Sequence, residues 1–185
     1  VGRSTMSLLE DAPEGSFAVA ALVAGRDAAA LAAQARQHRP EIAVLADENA
    51  LPALREALSG TGIACAAGAA AVLEAAARPV DWTMAAIVGA AGLGPVLAAL
   101  RRGGTLALAN KEALVCAGRI VLREAANSGA LLLPVDSEHN AIFQALDAKQ
   151  PSVPERITLT ASGGPFREAD EARMRAATPA DAVRH

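Results

Sequence analysis

Two carboxylates flank a hydroxyl in Pro134-Val135-Asp136-Ser137-Glu138-His139-Asn140, directly after the apolar run Leu131-Leu132-Leu133. At the exit of a strand, all three groups could face one space before a following helix carries the chain away. Hard oxygen donors of this kind suit Mg²⁺ or Mn²⁺, which take one or two carboxylates and keep open positions for substrate oxygens. The same letters also write a plain helix start, with Asp136 or Ser137 as N-cap and Glu138 in the first turn. A second cluster, Ala109-Asn110-Lys111-Glu112, sets an amide, an ammonium and a carboxylate at the end of another apolar run. Lys111 could neutralise a substrate oxygen and Asn110 could orient a cofactor. Glu112 would favour the helix dipole in either reading, whereas the charge of Lys111 opposes the positive end of that helix.

Three further places carry weaker signals. In Ala24-Gly25-Arg26-Asp27, Arg26 would suit the 2′-phosphate of NADP, although Asp27 beside it would repel that phosphate. A tight turn with Asp27 as N-cap explains the same residues. From Met84 to Gly92, small residues at a strand end allow backbone to approach a planar or charged ligand, or two helices to pack closely. Val1-Gly2, leading into a helix near Ser4, could end a glycine-rich phosphate loop or simply start a helix.

The elements that must position these groups follow from periodicity. Apolar β-rich runs recur at residues 17–24, 42–46, 63–66, 82–88, 105–109, 131–135 and 157–160. Ala- and Leu-rich segments at 28–38, 50–58, 69–76, 95–102 and 112–127 separate them, with apolar residues at helical spacing and charges opposite. This alternation predicts an α/β fold, a doubly wound parallel sheet of Rossmann type with ligands outside the carboxyl ends of its strands. Residues 147–155, with two prolines and mixed charge, read as a linker. Residues 1–149 are therefore assigned to the sheet domain and 150–185 to the beginning of a second, α+β domain. Val1 in place of Met, and an end at Arg184-His185 soon after a turn-like Thr178-Pro179 with no closing helix, read as cut ends. The sheet is accordingly expected to lack its first strand.

Composition removes several classes of function. Hydrophobic residues make up 52% of the 185 but aromatics only 2%, so the core must be close layers of Ala, Val, Leu and Ile. A net charge of −3 without a basic cluster offers no footprint for nucleic acid. The uncharged run from Trp82 to Leu100 is broken by Gly89, Gly92, Gly94 and Pro95 and reads as strand, turn and helix rather than a membrane span. Cys65 and Cys116 lack any metal or disulfide spacing and read as buried small residues in a reducing cytoplasm. His38 reads as exposed.

Taken together, MAAIVGAAGL at 84–93, LANKEALV at 108–115, LLPVDSEHNAIFQ at 132–144 and SGGPFRE at 162–168 resemble the 1-deoxy-D-xylulose 5-phosphate reductoisomerase family, in order and over the whole chain. The resemblance implies an NADPH-binding domain at 1–149 and the start of a catalytic domain at 150–185. It implies NADPH-dependent rearrangement and reduction of 1-deoxy-D-xylulose 5-phosphate to 2-C-methyl-D-erythritol 4-phosphate. Asp136 and Glu138 would be two of three protein ligands to Mn²⁺ or Mg²⁺. Lys111, Ser137, Glu138, Ser162 and His185 would contact substrate, with Lys111 and Glu138 catalytic. Val1, Gly25, Arg26, Asp27, Asn110 and Glu112 match cofactor-contacting positions, although Asp27 stands where many members carry Asn. The expected partners are a sugar phosphate and, when complete, a second copy in a cytoplasmic homodimer. Nucleic acid and membrane are not among them.

Two other readings compete. A metal-free Rossmann reductase would need a nucleophile or another acid/base pair after the strands, and neither cysteine sits there. A catalytically silent nucleotide-binding module would show no metal-dependent turnover. The 185 residues in isolation are expected to be inactive and poorly stable.

Overall fold

The computed structural model describes residues 1–146, 155–158 and 164–184. Helix α1 (Gly2–Glu10) precedes β1 (Ala21–Ala24), α2 (Ala28–His38), β2 (Ile42–Leu45), α3 (Leu51–Ala57), β3 (Ala64–Ala67) and α4 (Ala69–Ala76). The chain continues through β4 (Trp82–Ala85), α5 (Leu93–Arg102), β5 (Thr105–Leu108), α6 (Lys111–Ser128) and β6 (Leu131–Pro134). Among the described residues every strand pairing is parallel, in two three-stranded sheets ordered β1-β2-β3 and β4-β5-β6. The strands end level: Ala24, Leu45 and Ala67 are partners across one sheet, and Ala85, Leu108 and Pro134 across the other. The predicted α/β fold with parallel strands is the one observed. The two ladders are separate among the described residues, where the sequence suggested one sheet.

Local chemistry explains the boundaries. Asp27 caps α2 by accepting the Ala30 N–H at 2.9 Å, and Asn110 caps α6 by accepting the Ala113 N–H at 2.8 Å. Gly129 closes α6 in the left-handed conformation, φ 69°, where a side chain would be strained. Each half of the unit has an aliphatic core. Leu31, Ala35, Ala43, Leu45 and Leu54 fill one, and Val96, Leu100, Leu106, Leu108 and Val121 the other. Burying each such leucine or valine stabilises by roughly 1.5–3 kcal/mol. At the amino end of the second sheet, Arg102 donates to the carbonyls of Ala76, Arg78 and Gly103 and to Thr83 Oγ1. This fixes the α4–β4 connection against β4. Burial lowers the guanidinium pKa from its ordinary value.

The strand predicted at 82–88 ends at Ala85, because the following carbonyls turn away from the ladder, as described below. The run at 17–24 pairs only from Ala21, and Phe17 is exposed. Ile157 and Thr158 carry no strand, and the remainder of that predicted element, 159–160, lies outside the described residues. His38 is not exposed as expected: its side chain retains 10% of its accessibility, with Nε2 3.5 Å from Glu10 Oε1. Cys116 is exposed rather than buried, and Cys65 is half-buried, which pushes its thiol pKa up. The uncharged run from Trp82 divides into β4, a short 3-10 turn and α5, and no helix among the described residues is long and apolar enough to cross a membrane.

The chain forms two compact units, Val1–Asp136 and Ser137–His185. The linker expected at 147–155 lies outside the described residues except Glu155. In the second unit, α7 (Ser137–Ala145), α8 (Glu171–Arg175) and α9 (Pro179–Ala182) are described. The turn at Thr178-Pro179 thus opens a short helix, where the sequence reading placed none. A reciprocal cap forms it: Thr178 Oγ1 accepts the Asp181 N–H, and Asp181 Oδ2 accepts the Thr178 N–H at 3.0 Å.

Two outcomes follow. Leu106→Ala, at a position 1% exposed, should lower the unfolding free energy by about 2–5 kcal/mol in urea titration. The hydrogen bonds from Thr178 hold the Asp181 carboxyl below the usual carboxylate range. The cap therefore contributes fully above the unfolded aspartate value, about 3.9, and is lost as pH falls through the lower folded value. The Thr178 amide, followed by NMR, should lose its exchange protection only in that acidic window.

Candidate active site at the carboxyl ends of the strands

Because the strands are parallel and end level, the residues that follow them emerge along one edge of each sheet. The ladder of the second sheet runs one step past the strands: the Ala109 N–H donates to Ala85 O at 3.1 Å and the Val135 N–H to Leu108 O at 3.0 Å. Lys111 and Asp136 therefore leave neighbouring strands side by side. Lys111 Nζ lies 3.8 Å from Asp136 Oδ2, the ammonium mostly exposed and the carboxylate side chain 10% exposed. A cation and a nearly buried carboxylate thus meet at the carboxyl edge of the sheet, where folds of this kind bind ligands, and such a pairing can balance charge on a bound oxygen.

Asn110, one residue earlier, is 1% exposed. Besides capping α6, its Nδ2 donates to the carbonyls of Ile87 and Gly89, fixing the turn that leaves β4. Gly92 lies against this amide, and a Cβ there would overlap both Asn110 Nδ2 and Ile87 O. Glu112 stands in the first turn of α6 and is half-buried. Val1 and Gly2 start α1 without a side-chain cap, and a Cβ on Gly2 would sit 3.9 Å from the Ala86 Cβ. The amino end of α1 is thus beside the chain leaving β4.

In the first sheet, Gly25 and Arg26 are exposed after β1. Gly25 O accepts the Asp47 N–H at 3.0 Å, and Asp27 is engaged as the α2 cap. The second strand contributes a residue that sequence reasoning passed over. Glu48 lies over Gly68, where φ is +94° and a side chain would collide with the carboxylate. The only written hint was a lone glycine between a strand and a helix.

In the second unit, Ser137 and Glu138 occupy the first turn of α7. Ser162 and His185 lie outside the described residues. Among the described residues no three His, Cys, Asp or Glu side chains gather in a way that could hold a metal ion. The donor chemistry of Asp136, an anionic hard oxygen with little solvent access, nonetheless fits a divalent cation.

Comparison with known proteins gives the family. The family description 1-deoxy-D-xylulose 5-phosphate reductoisomerase matches residues 1–118, and that of its C-terminal domain matches residues 132–185. The chain is 59% identical along its whole length to the 1-deoxy-D-xylulose 5-phosphate reductoisomerase of Rhodospirillum centenum, of which it covers 46%. It is 56% identical to that of Gluconobacter oxydans, covering 45%. All of the chain superposes on 48% of the Zymomonas mobilis reductoisomerase solved in complex with NADPH, at 48% identity and a TM-score of 0.89. A reductoisomerase solved with NADPH, fosmidomycin and magnesium superposes at 34% identity and a TM-score of 0.83. The chain spans about half the length of these relatives. It belongs to the 1-deoxy-D-xylulose 5-phosphate reductoisomerase family.

Proposed function

We propose that the chain supplies the nucleotide-binding part, and the beginning of the catalytic part, of an enzyme that rearranges 1-deoxy-D-xylulose 5-phosphate to a branched aldehyde. The aldehyde carbon then takes hydride from NADPH and its oxygen a proton, giving 2-C-methyl-D-erythritol 4-phosphate. The observation that carries this reading is the approach of Lys111 Nζ to Asp136 Oδ2 at adjacent strand ends. Family membership supports it, as do the NADPH and magnesium complexes of the structural neighbours.

In this reading Val1, Gly25, Arg26, Asp27, Asn110 and Glu112 serve the cofactor. The amino end of α1 offers N–H groups to pyrophosphate, and the exposed Arg26 offers a cation to the 2′-phosphate. Lys111, Ser137, Glu138, Ser162 and His185 serve the substrate, and Asp136 and Glu138 would hold Mn²⁺ or Mg²⁺. The metal, when bound, supplies Lewis-acid polarisation of substrate oxygens. Lys111 balances the charge that develops on a substrate oxygen, and its place in the first turn of α6 keeps its ammonium at the site before chemistry begins. Residues 1–149 form the nucleotide domain and 150–185 open the catalytic domain of a cytoplasmic homodimer.

The test uses the full-length gene product that contains this sequence. NADPH oxidation on addition of 1-deoxy-D-xylulose 5-phosphate should require Mn²⁺ or Mg²⁺, and turnover indifferent to a strong chelator would refute the metal assignment of Asp136 and Glu138. Lys111→Ala should lower kcat by roughly 100-fold or more, the scale of losing a preorganised group that stabilises developing charge. A kcat unchanged in Lys111→Ala would remove Lys111 from the catalytic set.

A further inference from the structure

The Asn110 side chain has almost no hydrogen-bonding capacity left for a ligand. A carboxamide carries two N–H donors and an oxygen with two lone pairs. Here Nδ2 donates to Ile87 O and, at 2.9 Å, to Gly89 O, while Oδ1 accepts the Ala113 N–H at 2.8 Å. Both donors are therefore spent inside the chain, on a residue only 1% exposed. The amide joins two elements that the sheet leaves unconnected: the turn after β4 and the amino end of α6.

That turn has a defined shape. Gly89 adopts φ +70°, ψ −166°, a conformation open to glycine, and its carbonyl also accepts the Gly92 N–H at 3.2 Å. With the Ile87 and Gly89 carbonyls drawn inward to Asn110, the intervening Val88 is left 80% exposed. The turn thus presents the Val88 side chain outward at the carboxyl end of β4. Gly92 guards the arrangement from the other side, since a Cβ there would intrude on both Asn110 Nδ2 and Ile87 O.

We propose that the Asn110 side chain is a positioning group that serves the nucleotide cofactor through the 87–89 turn, not by donating its own amide hydrogen bonds to the cofactor. This rests on the NADPH-dependent reading above and refines the role of one residue within it. It also explains why a buried asparagine immediately precedes the lysine of the site. One amide sets the 87–89 turn and, through the α6 cap, the start of the helix that bears Lys111.

Two substitutions separate turn from cap. Asn110→Asp keeps an acceptor for the Ala113 N–H, and so keeps the α6 cap, but sets carboxylate oxygens against the Ile87 and Gly89 carbonyls. Gly92→Ala keeps the asparagine but sets a Cβ against both its Nδ2 and the Ile87 carbonyl, displacing the same turn by steric pressure. In the full-length gene product, both should raise KM for NADPH roughly tenfold, with kcat at saturating NADPH and affinity for fosmidomycin within about threefold of wild type. Backbone exchange across 86–92 should rise in both. Unchanged KM for NADPH in folded Asn110→Asp would overturn the proposal. So would a defect in Asn110→Asp that Gly92→Ala does not share, since that marks direct contact with the cofactor. Equal loss of kcat and of fosmidomycin affinity would reduce Asn110 to a general structural part and overturn it likewise. Should one variant not fold, the other decides by the same KM criterion. A wild-type protein that binds fosmidomycin but not NADPH would instead sink the functional reading, and this inference with it.

Discussion

Parallel pairing without offset is the constraint on which the rest of the structure depends. Once Ala85, Leu108 and Pro134 are locked as partners, the residues after each strand must emerge at one level. Lys111 and Asp136 are 25 positions apart in sequence, yet the ladder alone brings their charges within 3.8 Å. The chemistry of the edge then lies in which residue follows each strand, and the helices serve to hold the level fixed.

Much of this was legible because buried parallel strands write continuous apolar runs and the helices between them write a different period. Segments 28–38 and 69–76 read as helices and fold as α2 and α4 with those bounds. Asp27 was readable as a cap because capping is local chemistry. The NKE and DSEHN clusters were readable as a candidate site because they stand at strand exits.

What escaped the sequence depended on partners far away in it. Ile87 and Val88 looked like strand, having the right residue types, but a carboxamide some twenty residues on takes their turn's carbonyls out of the ladder. His38 looked like a solvated helix end until Glu10 from α1 came to meet it. Gly68 gave no sign of the Glu48 side chain lying over it. Thr178 and Asp181 have the spacing of a capping box, but they sit in so short a segment that the helix was not expected. Local rules predict elements and caps; they do not predict which side chain arrives from another element.

The scarcity of aromatic residues has an optical side. The chain holds one tryptophan and no tyrosine, so near-ultraviolet absorption and emission come almost wholly from Trp82. That indole opens β4, is 41% exposed, and lies four strand residues from the edge where the cofactor is proposed to rest, about 10 Å along the chain. A core built almost without rings thus leaves these 185 residues with a single native fluorophore. It stands on the strand that leads into the turn held by Asn110, so its emission reports on that strand with no competing signal from elsewhere in the chain.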